Sequence, residues 1–431
     1  MKITTCILSM LVMFESVNCQ NLKVMQFNIW LEGTSVSNGM TYIRDVINSV
    51  NPDLVCFSEV ANYSGDWTTK MVNQLAGLGK VYYRGYVSGS DVSIISKYPI
   101  TTSGPLIGGA TVRFVVKIND ISVVVCPSHL DYTYYATYLP RGYACGGSGK
   151  YSGWNALSPF VPETSLSIIS AQNLASKRDE QIKSFINYML KETRPVLLIG
   201  DFNEPSCLDW TARQSMLYDH NGVVCEWPTT LSLKNNGYVD AYRQVYPDEV
   251  LNPGITWPAI ATGKGNTGWA PLSDERDRID YIFYKGSGLK ATAATIVGPQ
   301  ASYVRNAKTS EGNGNDTFEA STLPWPSDHK AVTATISFPS NPSAIEPINK
   351  THVDFRVFQS PTKGLFNIVS SENKEAQISI SNPSGGVVLN RNLSLLADQM
   401  SLIDISEVPT GVYLLNVVSQ NQSHIFKLIK Q

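Results

Sequence analysis

The chain has 431 residues, 43% of them hydrophobic and 16% charged, which is enough to bury a large core and too long for one average domain. With a formal net charge of -2 it carries no global basic field. That excludes retention of nucleic acid by bulk charge and leaves only a local basic groove for the purpose.

The first residues, MKITTCILSMLVMFESVNCQ, place one lysine before an apolar core from Ile3 to Phe14, followed by small and polar residues up to Gln20. The core is too short to span a bilayer comfortably and reads as a secretory signal peptide over residues 1–19, cut near Cys19 or Gln20. No later segment has the length and apolarity of a membrane helix, so a soluble exported protein is expected. From residue 22 to about 338, strand-like runs (LKVMQFNIW, DLVCFSEV, VSIISKY, ATVRFVVKI, ISVVVCPSHL, PVLLIGDFN, RIDYIFYKG, HKAVTATISF) are interspersed with helix-like ones. The helical patterns are MTYIRDVINSV, WTTKMVNQLAGLG and the long SLSIISAQNLASKRDEQIKSFINYML. This mixture predicts an α/β core with helices covering the sheets. Residues 339–354, rich in proline, predict a linker, and the short alternating segments of residues 355–431 predict a small all-β domain.

Cys56 and Cys126 lie in strand patterns and are expected as reduced core residues, whereas Cys207 is free to pair with Cys225 or either of them with Cys145. No CxxC or Cys/His cluster points to zinc.

In VLLIGDFNEPS, a buried-strand pattern runs into Asp201 and Asn203, and strand ends are where ligands gather in α/β folds. The feature recurs. Asn28 lies near the end of VMQFNIW, Glu59 near the end of LVCFSEV, His129 near the end of VVVCPSHLD, Asp280 lies in RIDYIF, and Asp328 stands beside His329 in WPSDHKAV. Any one of these is explained by turn or capping chemistry, but together they form a chemical set. Glu59, Asn28 and Asp328 offer oxygen ligands to a hard divalent cation, Mg²⁺ first, with Mn²⁺ or Ca²⁺ as alternatives. A histidine held by a carboxylate supplies the proton transfer that a water nucleophile needs. Metal-assisted hydrolysis of a phosphate ester is the reaction class these parts describe.

The ordered motifs FNIW, SEV, SHLD, GDFN, RIDYIF and SDH resemble those of the endonuclease/exonuclease/phosphatase superfamily over roughly residues 22 to 338. The resemblance implies a four-layer α/β sandwich of the DNase I type, with two packed sheets flanked by helices, followed by a small C-terminal β-sandwich. It implies Glu59 as principal Mg²⁺ ligand, assisted by Asn28 and by Asp328 through water. Asp201 would orient or deprotonate the attacking water and Asn203 would touch the phosphate. His129 would donate to a non-bridging oxygen, and His329, paired with Asp280, would act as general acid/base. Arg178, before Gln in KRDEQI, matches a frequent family arginine and is either a site residue or a surface helix charge. SEV stands where QEV is commoner, and PSHLD where many members have Thr or Asn before the histidine.

For the substrate, the insertion DYTYYATYLPRGYACGGSGKYSGWNALSPF after His129 offers aromatic rings interleaved with Arg141 and Lys150. These stack on a ring-bearing substrate, enter a lipid interface, or form a core of their own. Without a Lys/Arg cluster, a nucleic acid partner is disfavoured, and a small or lipid-linked phosphate ester, cleaved in the manner of a sphingomyelinase, is the first expectation. A secreted DNase I-like endonuclease is the alternative. A non-catalytic binding protein on this fold is a third reading, opposed by the presence of every expected group. The tail, from VFQSPTKGLFNIVS through PTGVYLLNVVS to HIFKLIKQ, resembles the C-terminal sorting domain of type IX secretion substrates over residues 355 to 431. That resemblance implies the type IX machinery as partner and a secreted or surface location for what is expected to be a monomer.

Overall fold

The computed structural model describes residues 19–311, 314–339, 355–358, 362–370, 372–382, 386–397, 399–419 and 422–431. Two compact units, Met1–Ser340 and Asn341–Gln431, divide the chain. The leader and most of the proline-rich stretch fall outside the described residues. No helix among the described residues is long and apolar enough to cross a membrane.

The first unit holds two mixed sheets and a two-stranded one, Ala301–Val304 with Ala307–Ser310. One holds Phe318–Glu319, Lys290–Val297, Ala331–Pro339, Cys19–Asn28, Leu54–Ser58, Val92–Ser96 and Tyr83–Tyr86 in that order. The other holds Ile100–Ile107, Thr111–Ile118, Ile121–His129, Val196–Asp201, Asp280–Lys285 and Val239–Asp240. Strand periodicity sends alternate side chains to opposite faces. Leu22 and Val24 therefore share a core with Val123, Val125, Leu197 and Ile199 of the opposite sheet. Met25 and Phe27 face the other way, under helices α1 (Gly39–Val50) and α2 (Trp67–Ala76). On the far side, α3 (Leu166–Asn173) is followed by α4 (Arg178–Tyr188) and α5 (Pro228–Asn235), and Ile182, Phe185 and Leu233 cover Val124, Cys126, Leu198 and Phe283. The layers run helix, sheet, sheet, helix, which is the four-layer sandwich implied by the motifs.

The helices follow from their spacing. Ile43, Val46, Ile47 and Val50 make one buried stripe on α1, and Trp67, Met71 and Leu75 make another on α2. Asp66 caps α2 by accepting from Thr69 N at 2.8 Å. The single long helix expected before the GDFN strand is instead two, α3 and α4, broken at residues 174–177. The break lets Asn173 and Arg178 meet in the interior, with Arg178 Nη2 donating to Asn173 Oδ1 at 2.7 Å. Cys56, Cys126, Cys145, Cys207 and Cys225 carry free thiols.

Register brings the polar strand ends together. His129 lies opposite Asp201 on parallel strands, and Asp201 lies opposite Asp280 on antiparallel ones. At this end the inter-sheet core turns polar. Gln26 Nε2 donates across the sheets to Asp280 Oδ1 at 3.3 Å, and Ser58 Oγ donates to Ser128 O at 3.3 Å. Gly200 is required here for space, because a Cβ would meet Ser128 O at 2.0 Å.

The second unit is all β, as its alternation predicts, with three- and four-stranded sheets. Its core includes Phe355, Phe366, Ile368, Ile378, Leu415 and Val417.

Candidate active site

A cavity of about 380 Å³ opens at the polar end of the sheets, lined by Glu59, His129, Asp201, Asn203, Asp328 and His329 among the residues singled out by sequence. Asp201 sits at its floor, 1% exposed. Asn203 N and Asn28 Nδ2 each donate to its carboxylate at 2.9 Å. His129 Nε2 and His329 Nε2 approach Asp201 Oδ2 at 3.7 and 3.6 Å. Each imidazole is held from behind by a carboxylate of its own: His329 Nδ1 lies 2.9 Å from Asp280 Oδ2, and His129 Nδ1 lies 2.6 Å from Asp91 Oδ2.

Burial by itself would depress both imidazoles, but the surrounding carboxylates outweigh it and raise each to about 10. For His129 the decisive partner is Asp91, and for His329 it is Asp280 together with Asp201. Both rings are therefore cations at neutral pH, with both nitrogens donating.

The backbone is strained where these groups are presented. Glu59 has φ 68°, Asn203 φ 48°, and the three residues after Ile29 all lie at positive φ, Trp30 at 45°, Leu31 at 55° and Glu32 at 62°. Left-handed non-glycine residues cost on the order of 1–3 kcal/mol each and gather at functional sites. Here the strain turns backbone donors inward: Leu31 N donates to Glu59 Oε2 at 2.8 Å. Ser327 Oγ donates to Asn28 O at 2.7 Å, tying the SDH turn to the end of the first strand.

Asn28 is 0% exposed and bridges Glu59 Oε1 and Asp201 through Nδ2, at 3.0 and 2.9 Å. Its own oxygen accepts from Trp30 N at 3.0 Å, so the amide turns its N–H side to the two carboxylates. Asn203 Nδ2 donates to Leu130 O at 3.1 Å.

Arg178 does not line the cavity, and its expected place among the site groups is corrected. All five guanidinium N–H groups are spent, on Glu204, Asp131 O, Thr133 O, Tyr134 O and Asn173. The residue is 1% exposed, so it is no surface helix charge either. It braces the turn that follows His129.

The aromatic insertion is mostly a core of its own. Tyr135, Tyr138, Tyr143 and Tyr151 pack with Trp210, Trp227 and Trp257. Arg141, interleaved with these rings in the sequence, is 1% exposed and bound to Asp277 at 2.6 and 3.1 Å. Tyr132, Tyr135, Tyr138 and Trp154 of the insertion line the cavity, joined by Trp257 and Trp269 from a segment that sequence reasoning passed over.

Asp91 was also missed. It precedes the apolar run VSIIS, and because that strand runs antiparallel to Leu54–Ser58 its N-terminal end reaches the mouth. The signal was present in GSDVSII, at the opposite strand end from those searched.

The donor set fits a divalent cation. Burial and the neighbouring charge of Glu59 raise Asp328 to about 7, against the opposing pull of His329, and burial and Asp280 raise Asp201. Such an excess of buried negative charge is relieved by a cation held on oxygen. Asp201, Asp280 and His329 also converge with ligand atoms within 4.8 Å, but Asp280 and His329 already bond each other.

A match to the Endonuclease/Exonuclease/phosphatase family spans residues 25–329. The chain belongs to this family. It is accordingly a metal-dependent hydrolase of phosphate ester bonds. Residues 356–431 match a secretion system C-terminal sorting domain, which assigns the protein to the secretion machinery and to the cell surface or the medium. The chain is 29% identical over 328 residues to the uncharacterized protein F14F9.5 of Caenorhabditis elegans, covering 74% of this chain and 91% of that one. The human Nocturnin catalytic domain aligns with 15% identity and a TM-score of 0.41 over 74% of this chain and 94% of its own. A mannosyl-6-phosphatase of Bacteroides thetaiotaomicron aligns with 15% identity and a TM-score of 0.38 over 74% of this chain and 100% of its own.

Proposed function

We propose that this member of the family is an exported phosphodiesterase that hydrolyses a small or lipid-linked diester by attack of water. The observation that carries this reading is Asp201 set between two carboxylate-held imidazolium groups, at 3.7 Å from His129 and 3.6 Å from His329.

Asp201 takes the proton of the attacking water, its carboxylate oriented by Asn28 and by its own turn at Asn203 N. His129 donates through Nε2 to a non-bridging phosphate oxygen, with Asp91 fixing the ring. His329, fixed by Asp280, donates through Nε2 to the departing oxygen. Asn203, which lines the cavity, would touch the phosphate. Glu59 and Asp328 would hold Mg²⁺, with Asn28 setting Glu59 in place, and a bound Mg²⁺ neutralises phosphate charge. Asn28 thus serves as a positioning donor. The leader-like residues 1–19 would start the export that the sorting domain completes, and a monomer suffices because every named group comes from one chain.

A diester is favoured over a monoester because the cavity continues past His129 and Asp91 into a second groove bordered by Tyr86, Asp131 and Lys177. The phosphorus therefore has room for a substituent on each side. No lysine or arginine among the described residues lines the main cavity, which opposes a long polyanion.

The test is turnover of bis(4-nitrophenyl) phosphate, 4-nitrophenyl phosphate and supercoiled DNA by the purified chain in MgCl₂. The diester should be cleaved at least about tenfold faster than the monoester, with little nicking of DNA. Preference for the monoester, or efficient nicking, contradicts the reading.

A further inference from the structure

Glu59 leaves its strand at φ 68°, a conformation that side chains rarely adopt, and it must be held there for its carboxylate to face the cavity. Contacts hold it from two sides. Val60 N donates to Asp91 O at 2.8 Å. From the loop after Ile29, Leu31 N donates to Glu59 Oε2 at 2.8 Å and Glu32 N to Glu59 O at 3.2 Å. That loop is strained as well, since Trp30, Leu31 and Glu32 are all left-handed. Strained segments of this kind persist only where a further contact fixes them.

The Glu32 side chain makes that contact. Its carboxylate is 4% exposed, does not line the cavity, and accepts the backbone N–H of Asn62, three residues beyond Glu59. Glu32 therefore grips the turn at both ends, by its own N–H at Glu59 and by its carboxylate at Asn62. Asn62 is itself left-handed, at φ 57°, and its Oδ1 accepts from Trp67 N at 2.9 Å, which carries the turn on into the start of α2. Burial raises the Glu32 carboxyl, while the N–H groups of Asn62, Tyr63 and Ala61 and the charge of Lys70 oppose the rise. Lys70 does not pair with it, donating instead to Ser64 O and Oγ at 2.6 and 2.9 Å. The carboxylate is thus spent on the backbone of the turn.

Asp201, His129 and His329 are set by other groups, Asn203 N, Asp91 and Asp280. Loosening the turn at Glu59 should therefore act on the cation and spare the proton transfers.

We propose that Glu32 is a positioning residue for the divalent cation: it fixes the left-handed turn from which Glu59 reaches the metal, while touching neither metal nor substrate. The inference rests on the reading of Glu59 as the principal cation ligand and adds the residue on which that ligand's geometry depends.

The experiment measures Mn²⁺ binding to the full chain by calorimetry, at a temperature where circular dichroism shows each variant folded. Glu32→Met keeps the bulk and removes the acceptor, whereas Glu32→Gln keeps an acceptor oxygen and removes the charge. Glu32→Met should bind Mn²⁺ about tenfold or more weakly, the loss typical when a group that supports a metal ligand is removed, and Glu32→Gln should recover most of it. The kcat for bis(4-nitrophenyl) phosphate at saturating Mn²⁺ should be nearly unchanged in both. Asp66→Ala removes the cap of α2 without touching Glu59 and should leave Mn²⁺ binding as it is.

Wild-type Mn²⁺ binding in Glu32→Met overturns the proposal, as does a Glu32→Gln as weak as Glu32→Met. Equal weakening in Asp66→Ala marks a general loosening and overturns it too. Glu59→Gln separates the two readings. Wild-type affinity in Glu59→Gln overturns Glu59 as ligand, whereas lost affinity there beside wild-type binding in Glu32→Met overturns only the role of Glu32. Should Glu32→Met not fold, amide exchange in the wild type decides: the Asn62 N–H should be protected, and exchange at the rate of an open loop overturns the clamp.

Discussion

His329→Ala is expected to lower kcat for a diester by about 10³-fold, within the range of roughly 10²–10⁴ attributed to positioned proton transfer. The imidazole is 4% exposed, bonded to Asp280 at 2.9 Å and 3.6 Å from Asp201, and in the proposed reading it supplies the proton to the departing oxygen. Asp280→Asn should cost less, about 10–10². The amide still orients the ring but no longer stabilises its charge. Steady-state kinetics of the two variants checks this order. Wild-type turnover in His329→Ala, or a larger loss in Asp280→Asn, contradicts the assigned roles.

The second large effect is on stability. Asp277 is 3% exposed and accepts from both Arg141 Nη atoms, from Tyr135 OH at 2.9 Å and from Trp210 Nε1 at 3.1 Å. It joins three separate segments of the aromatic insertion's core through one carboxylate. Asp277→Ala strands the Arg141 charge in that core, and an uncompensated buried partner costs about 3–5 kcal/mol. That is a large share of the roughly 5–15 kcal/mol that holds a typical domain. Urea unfolding should show the catalytic unit's midpoint falling steeply. Adding Arg141→Met should recover part of the loss, since the stranded charge is then gone. A shift below about 1 kcal/mol in Asp277→Ala would mean that the pair is solvated in practice.

The layers of the fold were legible because strands such as Leu54–Ser58, Val92–Ser96 and Val196–Asp201 are apolar runs buried along their whole length and α1 and α2 carry clean stripes. Several strands escaped, among them Tyr83–Tyr86 and the two-stranded pair Ala301–Val304 and Ala307–Ser310, and two others show the physical reasons. Ile100–Ile107 is an edge strand of Thr, Ser, Gly and Pro, exposed along much of its length. Lys290–Val297 carries three alanines, a residue depleted in strands, and its bulge at Ala291/Ala293 breaks the alternation.

At the site, residues that follow long apolar runs were readable one by one, since a polar group at the end of such a run stands out. Asp91 was not, because it precedes its strand. Trp257 and Trp269 were not, because they lie in loops without periodicity and reach the cavity only through tertiary packing. Arg178 was visible as a motif, but its neighbours were not. Only the break between α3 and α4 shows that its five donors are all used within the turn after His129.

The central claim is that an oxygen-bound cation at Glu59 and Asp328 and the Asp201 cluster hydrolyse a diester together. Its most direct test is hydrolysis of bis(4-nitrophenyl) phosphate by the wild type and by Glu59→Gln, each with MgCl₂ and then with excess chelator. The account predicts wild-type activity that chelator abolishes and Mg²⁺ restores, and a loss of about 10²-fold or more in Glu59→Gln even at high Mg²⁺. Activity that survives chelation, or a Glu59→Gln enzyme that turns over as the wild type does, would contradict it.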